Sequence, residues 1–129
     1  MKILVADDDP VHIQLVSSRL RGSGFEITVA RDAMQALMLA VRGKPDAILL
    51  DINMPGGTGI QALKQLKANS STFTIPVIVV SGSDDPNLLQ QLRTLGAEDF
   101  LRKPFDFSEL LGRLHRVTGG PVNQQLKVV

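Results

Sequence analysis

The chain has 129 residues, 43% hydrophobic and 21% charged, which suits one domain around one core. A formal net charge of +1 gives no electrostatic case for nucleic acid or a membrane surface. The absence of cysteine excludes disulfides and thiolate chemistry and agrees with a reducing cytoplasm, the expected location.

Short β-like runs alternate with helical patterns from the first residues onward. The opening MKILVADDD predicts a strand over 2–7; its apolar run is too short for a signal segment, and acids follow it. Nothing in the chain approaches the roughly 18 consecutive apolar residues of a membrane span. Asp9-Pro10 reads as an N-cap with proline at the first helical position, opening a helix over 10–22. A strand over 26–30 and a helix over 33–43 follow, and then AILLD predicts a strand over 46–51. That run is almost wholly apolar, as for a central strand covered on both faces, yet it exits into Asp51 and a Pro55-Gly56-Gly57 turn. Thr58 and Gln61 have capping-box spacing ahead of a helix over 59–69. PVIVV predicts a strand over 76–81, and Asp85-Pro86 opens a helix over 86–96. A last strand, 98–102, leads to a helix over 107–118, with Asp106 and Glu109 at capping-box spacing. Phe107, Leu110, Leu111, Leu114 and Val117 form its apolar face, and Gly112 weakens its middle. Residues 119–129, beginning Gly119-Gly120-Pro121, read as a helix stop followed by a tail or the start of a linker.

Strict β–α alternation implies an α/β fold with a parallel sheet and right-handed crossovers. Ligands of such open sheets bind outside the carboxyl ends of the strands. Asp7, Asp8, Asp51, Ser81 and Lys103 all fall at those ends. Carboxylates pressed together repel unless a cation neutralises them. Oxygen-only ligands suit Mg²⁺, which uses one or two carboxylates together with a phosphate. Asp51 is then a candidate nucleophile for a phosphoryl group, Lys103 a mobile countercharge, and Ser81 a hydrogen-bond donor to a phosphoryl oxygen. Taken singly, each has an ordinary reading: a turn acid, a strand-end acid, a solvated lysine. His12 and His115 lie far apart and make no metal-spacing motif, and neither is given a role.

Asp7-Asp8, DINMPGGTG from Asp51, Ser81-Gly82 and KPF from Lys103, in that order on this frame, resemble the receiver domains of two-component response regulators, including the stand-alone chemotaxis type. The resemblance spans about Lys2 to Val117 and implies a receiver domain over 1–118. It implies a flavodoxin-like, doubly wound sheet of five parallel strands in order 2-1-3-4-5 with five helices. By the same resemblance Asp51 is the phosphoacceptor. Asp8 ligates Mg²⁺ directly, Asp7 acts through a bound water, and Asn53 offers its backbone carbonyl. Ser81 and Phe100 are the switch pair, Gly82 lies beside the phosphoryl group, and Lys103 pairs with it. Asn53 and Ser83 tune its lifetime, and the Lys103–Pro104 bond is cis. The implied donor is a sensor histidine kinase or a histidine phosphotransfer protein. The implied output is a protein or domain meeting the face of the fourth helix, fifth strand and fifth helix, where Gln91, Arg93, Arg102, Arg113 and Arg116 would be exposed. Such a domain is a signalling switch with intrinsic Mg²⁺-dependent autophosphorylation and slow autodephosphorylation, and not an enzyme. One departure is Thr58, where the family commonly has an acid.

Three other readings compete. A magnesium-dependent aspartyl phosphatase would need a second acid where Asn53 stands. Dinucleotide binding has a weak echo in GGTG (56–59), but its fingerprint belongs to the first βα turn, here the repelling DDDP. A degenerate receiver would act by protein contact alone, against which the complete acid set, Ser81 and Lys103 argue.

Overall fold

The structure, a computed structural model, describes residues 1–54 and 58–119, without the side chain of Thr58. The Pro55-Gly56-Gly57 turn, the proposed Thr58 cap and the tail from Gly120 lie outside the described residues. Five strands, β1 (Lys2–Ala6), β2 (Glu26–Ala30), β3 (Ala47–Asp51), β4 (Val77–Ser81) and β5 (Asp99–Arg102), alternate with five helices. These are α1 (Pro10–Gly22), α2 (Ala33–Gly43), α3 (Thr58–Ala68), α4 (Pro86–Thr94) and α5 (Phe107–Thr118). The strands pair in parallel in the order β2-β1-β3-β4-β5, the flavodoxin-like arrangement expected.

Alternation along the strands divides the core in two. Leu4, Ile48, Leu50, Val77 and Val79 pack with Ala36 and Ala40 of α2, Leu63 and Leu66 of α3, and Leu92 of α4. Ile3, Val5, Leu49, Ile78 and Val80 pack with Val16 and Leu20 of α1 and with Leu110 and Leu114 of α5. Every residue of β3 and β4 is buried, which accounts for their continuous apolar runs.

The side chains of Asp9 and Asp85 cap α1 and α4 as expected, accepting from Val11 N–H at 3.0 Å and Asn87 N–H at 3.1 Å. Helix α4 stops at Thr94, two residues short of expectation. There Gly96 adopts φ +108° and Ala97 N–H turns back to Leu92 O, a left-handed termination that glycine makes cheap. Strand β1 stops at Ala6 because Asp7 Oδ1 takes the Asp9 N–H at 3.0 Å and turns the chain into α1. In α5 the fully buried side chains are Leu110, Leu114 and His115. Phe107, Leu111 and Val117 are only half-buried, because they lie at the margin of the face that meets the sheet.

Gly59 explains the GGTG echo differently. A Cβ there would lie 2.4 Å from the Ile52 carbonyl oxygen, so α3 rests directly on the backbone that follows Asp51. The glycine serves close packing beneath the third strand's exit.

Candidate functional site

Parallel register brings the strand exits together. Ala6 of β1 pairs with Leu50, and Asp51 pairs with Val80, so Asp7, Asp51 and Ser81 leave adjacent strands at one level. Asp7, Asp51 and Ser81 are each at most 4% exposed, while Asp8 is more open to solvent. Asp7, Asp8 and Asp51 each offer a carboxylate oxygen within 4.8 Å of the others. Lys103, just past β5, reaches across to Asp51 with Nζ 2.8 Å from Oδ2. Asp51 Oδ1 accepts the Asn53 N–H at 2.8 Å. Three carboxylates thus face one lysine, and the excess negative charge fits a hard divalent cation with oxygen ligands. The donor set suits Mg²⁺, and no nitrogen or sulfur ligand among the described residues would favour a softer ion.

Ser81 Oγ accepts the Ser83 N–H at 3.1 Å, which leaves its own O–H to donate elsewhere. Gly82 is exposed and a Cβ there would meet nothing within 4 Å. Phe100 is half-buried, with the Arg93 guanidinium 5.6 Å from its ring centroid. Ser81 and Phe100 line one groove of about 450 Å³ that also meets Arg93, Arg113 and Arg116. Asn53 and Ser83 are exposed beside the site. The Lys103–Pro104 bond is cis.

The structure adds His12, which the sequence reading left without a role. Its Nδ1 bonds Asp7 Oδ2, and Phe105 meets its ring edge-on at 5.8 Å between centroids. Burial opposes the charged form of Asp7, but the donors from His12 and Asp9, a hydrogen bond with Asp51 and the charge of Lys103 outweigh it. Together they lower its pKa from 3.8 to about 2. Asp7 is therefore ionised and accepts only, so the His12 nitrogen facing it donates. The signal for this pair was positional. His12 is the third residue of α1 beyond the Asp9 cap, where a side chain can fold back over the residues that precede the helix.

On the far side of β5, Asp99 is 8% exposed and takes Arg113 Nη1 at 2.7 Å and Arg116 Nη1 at 3.4 Å. Arg113 is thus half-buried and engaged, contrary to the expectation that it would be exposed, because Asp99 points from the sheet into the base of α5. Gln91, Arg93, Arg102 and Arg116 are exposed as expected.

An acidic cluster with one lysine at the carboxyl edge of a five-stranded 2-1-3-4-5 sheet defines a receiver domain of two-component signalling. The sequence matches the family model described as response regulator receiver domain over residues 3–115, and the chain belongs to that family. It is 35% identical over 119 residues to Protein PilH of Pseudomonas aeruginosa, covering 92% of this chain and 98% of that protein. It is 37% identical over 117 residues to Response regulator PleD of Caulobacter vibrioides, covering 91% of this chain but only 26% of PleD. The chain therefore spans about a quarter of one such relative and nearly all of another. Among solved structures, chemotaxis response regulator CheY4 of Vibrio cholerae superposes with a TM-score of 0.84 at 34% identity, over 90% of this chain and 97% of that one. The receiver domain of sensor histidine kinase PA1611 from Pseudomonas aeruginosa gives 0.84 at 30% identity, over 92% and 98%. That structure is described with a magnesium ion coordinated in the active site cleft. No helix of the described residues is long and apolar enough to cross a membrane.

Proposed function

We propose that Asp51 accepts a phosphoryl group from the histidine of a sensor kinase or phosphotransfer protein, and that residues 1–118 are the unit that does so. The observation that carries this is the Asp7–Asp8–Asp51 cluster with Lys103 at 2.8 Å from Asp51. An oxygen of the Asp51 carboxylate forms a bond to phosphorus as the phosphorus–nitrogen bond of the donor breaks. The electron pair stays with the departing imidazole, which takes its proton from solvent. Asp7, Asp8, Asp51 and the Asn53 carbonyl would hold Mg²⁺, which when bound neutralises charge on the transferring group. Lys103 supplies a positive charge on the protein side, and Ser81 donates its hydroxyl hydrogen to a phosphoryl oxygen. Hydrolysis returns the domain to its resting form when water attacks phosphorus and the Asp51 carboxylate departs. Asn53 and Ser83, exposed beside the site, tune how readily that water arrives.

The groove shared by Ser81 and Phe100 supports the switch reading. A hydroxyl drawn toward the phosphoryl group vacates space beside the ring, which then biases an existing equilibrium of the α4–β5–α5 face toward its output partner. The phosphatase reading is weaker, because the exposed Asn53 amide has no proton to give and retake.

The test is intact mass after incubation with acetyl phosphate, with and without Mg²⁺, for the parent and Asp51→Asn. A Mg²⁺-dependent gain of one phosphoryl group, absent from the variant, is expected. No gain, together with no binding of beryllium fluoride by folded protein, would replace this reading with a receiver that acts by contact alone.

A further inference from the structure

Asp7 is the deepest of the three acids, and its carboxylate is held from two directions. Oδ1 accepts the Asp9 N–H at 3.0 Å, and Oδ2 accepts His12 Nδ1–H. The imidazole is itself held. Phe105 lies across it at 81°, and its backbone N–H, at 3.5 Å, shares the Asp9 cap oxygen with Val11. A carboxylate oxygen has two acceptor positions, and these two bonds engage one on each oxygen of Asp7. The rotamer is therefore no longer free. His12 arrives from α1, on one face of the sheet, and Phe105 from the loop after β5, so two elements converge on one acid.

We propose that His12 is a positioning residue for the metal site: by donating to Asp7 Oδ2 it orients the carboxylate toward the cation shared with Asp8 and Asp51. The proposal rests on the Mg²⁺ reading given above. Groups that hydrogen-bond a ligating carboxylate set its direction, and losing one typically weakens metal affinity about 10–100-fold. A neutral role is the competing account, in which the pair only ties α1 to the sheet. The two differ in what a variant changes. A tie affects stability, whereas an orienting group affects affinity in protein that remains folded.

The experiment is a calorimetric titration of the whole chain with Mg²⁺ for the parent, His12→Leu and His12→Asn, with thermal unfolding of each in parallel. The asparagine amide nitrogen stands one bond beyond Cγ, as Nδ1 does, and can donate to the same oxygen. Leucine fills similar space without a donor. The expected result is a loss of about 10–100-fold in Mg²⁺ affinity for His12→Leu and recovery of most of it in His12→Asn. Unchanged or tighter binding in folded His12→Leu overturns the proposal. Equal loss in both variants also overturns it, since the donor would then not be what matters. Absence of Mg²⁺ binding in the parent overturns the metal reading and this proposal together, and so is told apart from failure of the proposal alone.

Discussion

Two lysines, at opposite ends of the same sheet, each meet a carboxylate. At the amino ends of β4 and β5, Lys67 Nζ donates to Phe73 O at 3.1 Å, Ile75 O at 2.9 Å and Glu98 Oε1 at 2.6 Å. Glu98 is held in turn by the Val77 N–H. An ammonium has three hydrogens, so Lys67 has none left. At the carboxyl ends, Lys103 donates to Asp51 alone among the described residues and is 28% exposed, against 13% for Lys67. A lysine whose donors are all engaged is a strut. A lysine with a single partner among the described residues, beside acids that outnumber it, keeps donors for other work.

The largest expected effect lies at the poised end. Asp51→Asn should abolish phosphoryl incorporation by intact mass while leaving the circular dichroism spectrum unchanged. Lys103→Ala should slow incorporation from acetyl phosphate by about 10²–10³-fold, the loss seen when one group that stabilises developing charge is removed. Lys67→Ala should leave that rate alone and lower stability in urea by about 1–3 kcal/mol, since it removes the donor to two carbonyls and to one oxygen of Glu98. If the two lysines exchanged these phenotypes, the distinction would fail. Gly59→Ala should destabilise by about 1–3 kcal/mol in the same denaturation assay, because the methyl group meets the Ile52 backbone.

Acid titration gives smaller effects. Asp7 is lowered from 3.8 to about 2, so the folded state holds fewer protons than the unfolded state between those values. Its contribution is complete above 3.8 and is lost as pH falls toward 2. Burial lowers His115 from 6.5. Just below 6.5 the unfolded state therefore binds the extra proton, and stability declines as pH drops. Urea midpoints across pH for the parent and His115→Leu check this: the variant's profile should be flatter below 6.5.

Much of this arrangement is legible in the amino-acid sequence. Apolar runs that stop at acids located the strands and their carboxyl ends, and the Asp-Pro pairs located two helix starts to the residue. These signals are local, and local signals survive tertiary context. The errors came where tertiary contacts decide. Helix α4 was read too long because Gly96 terminates it through a backbone conformation and not through a change in hydrophobicity. Arg113 was read as solvated because Asp99, on another element, is what engages it. His12 had no role because its partner lies behind the cap, opposite to the direction in which helix periodicity is usually read. GGTG, only a weak echo of a dinucleotide fingerprint, is no phosphate loop at Gly59, which meets protein backbone.

Asp51 and Lys103 are 52 residues apart in the chain, and Asp7 joins them from the strand on the other side of β3. No short contiguous fragment holds the set. The pocket comes into being only when β1, β3 and the segment beyond β5 are in register together, so occupancy is a property of the finished sheet. By mass action, a ligand at 100 times its dissociation constant adds about 2.7 kcal/mol to the whole domain and not to one loop. A ligand that needs Asp7, Asp51 and Lys103 together can bind only once the segments that carry them have met.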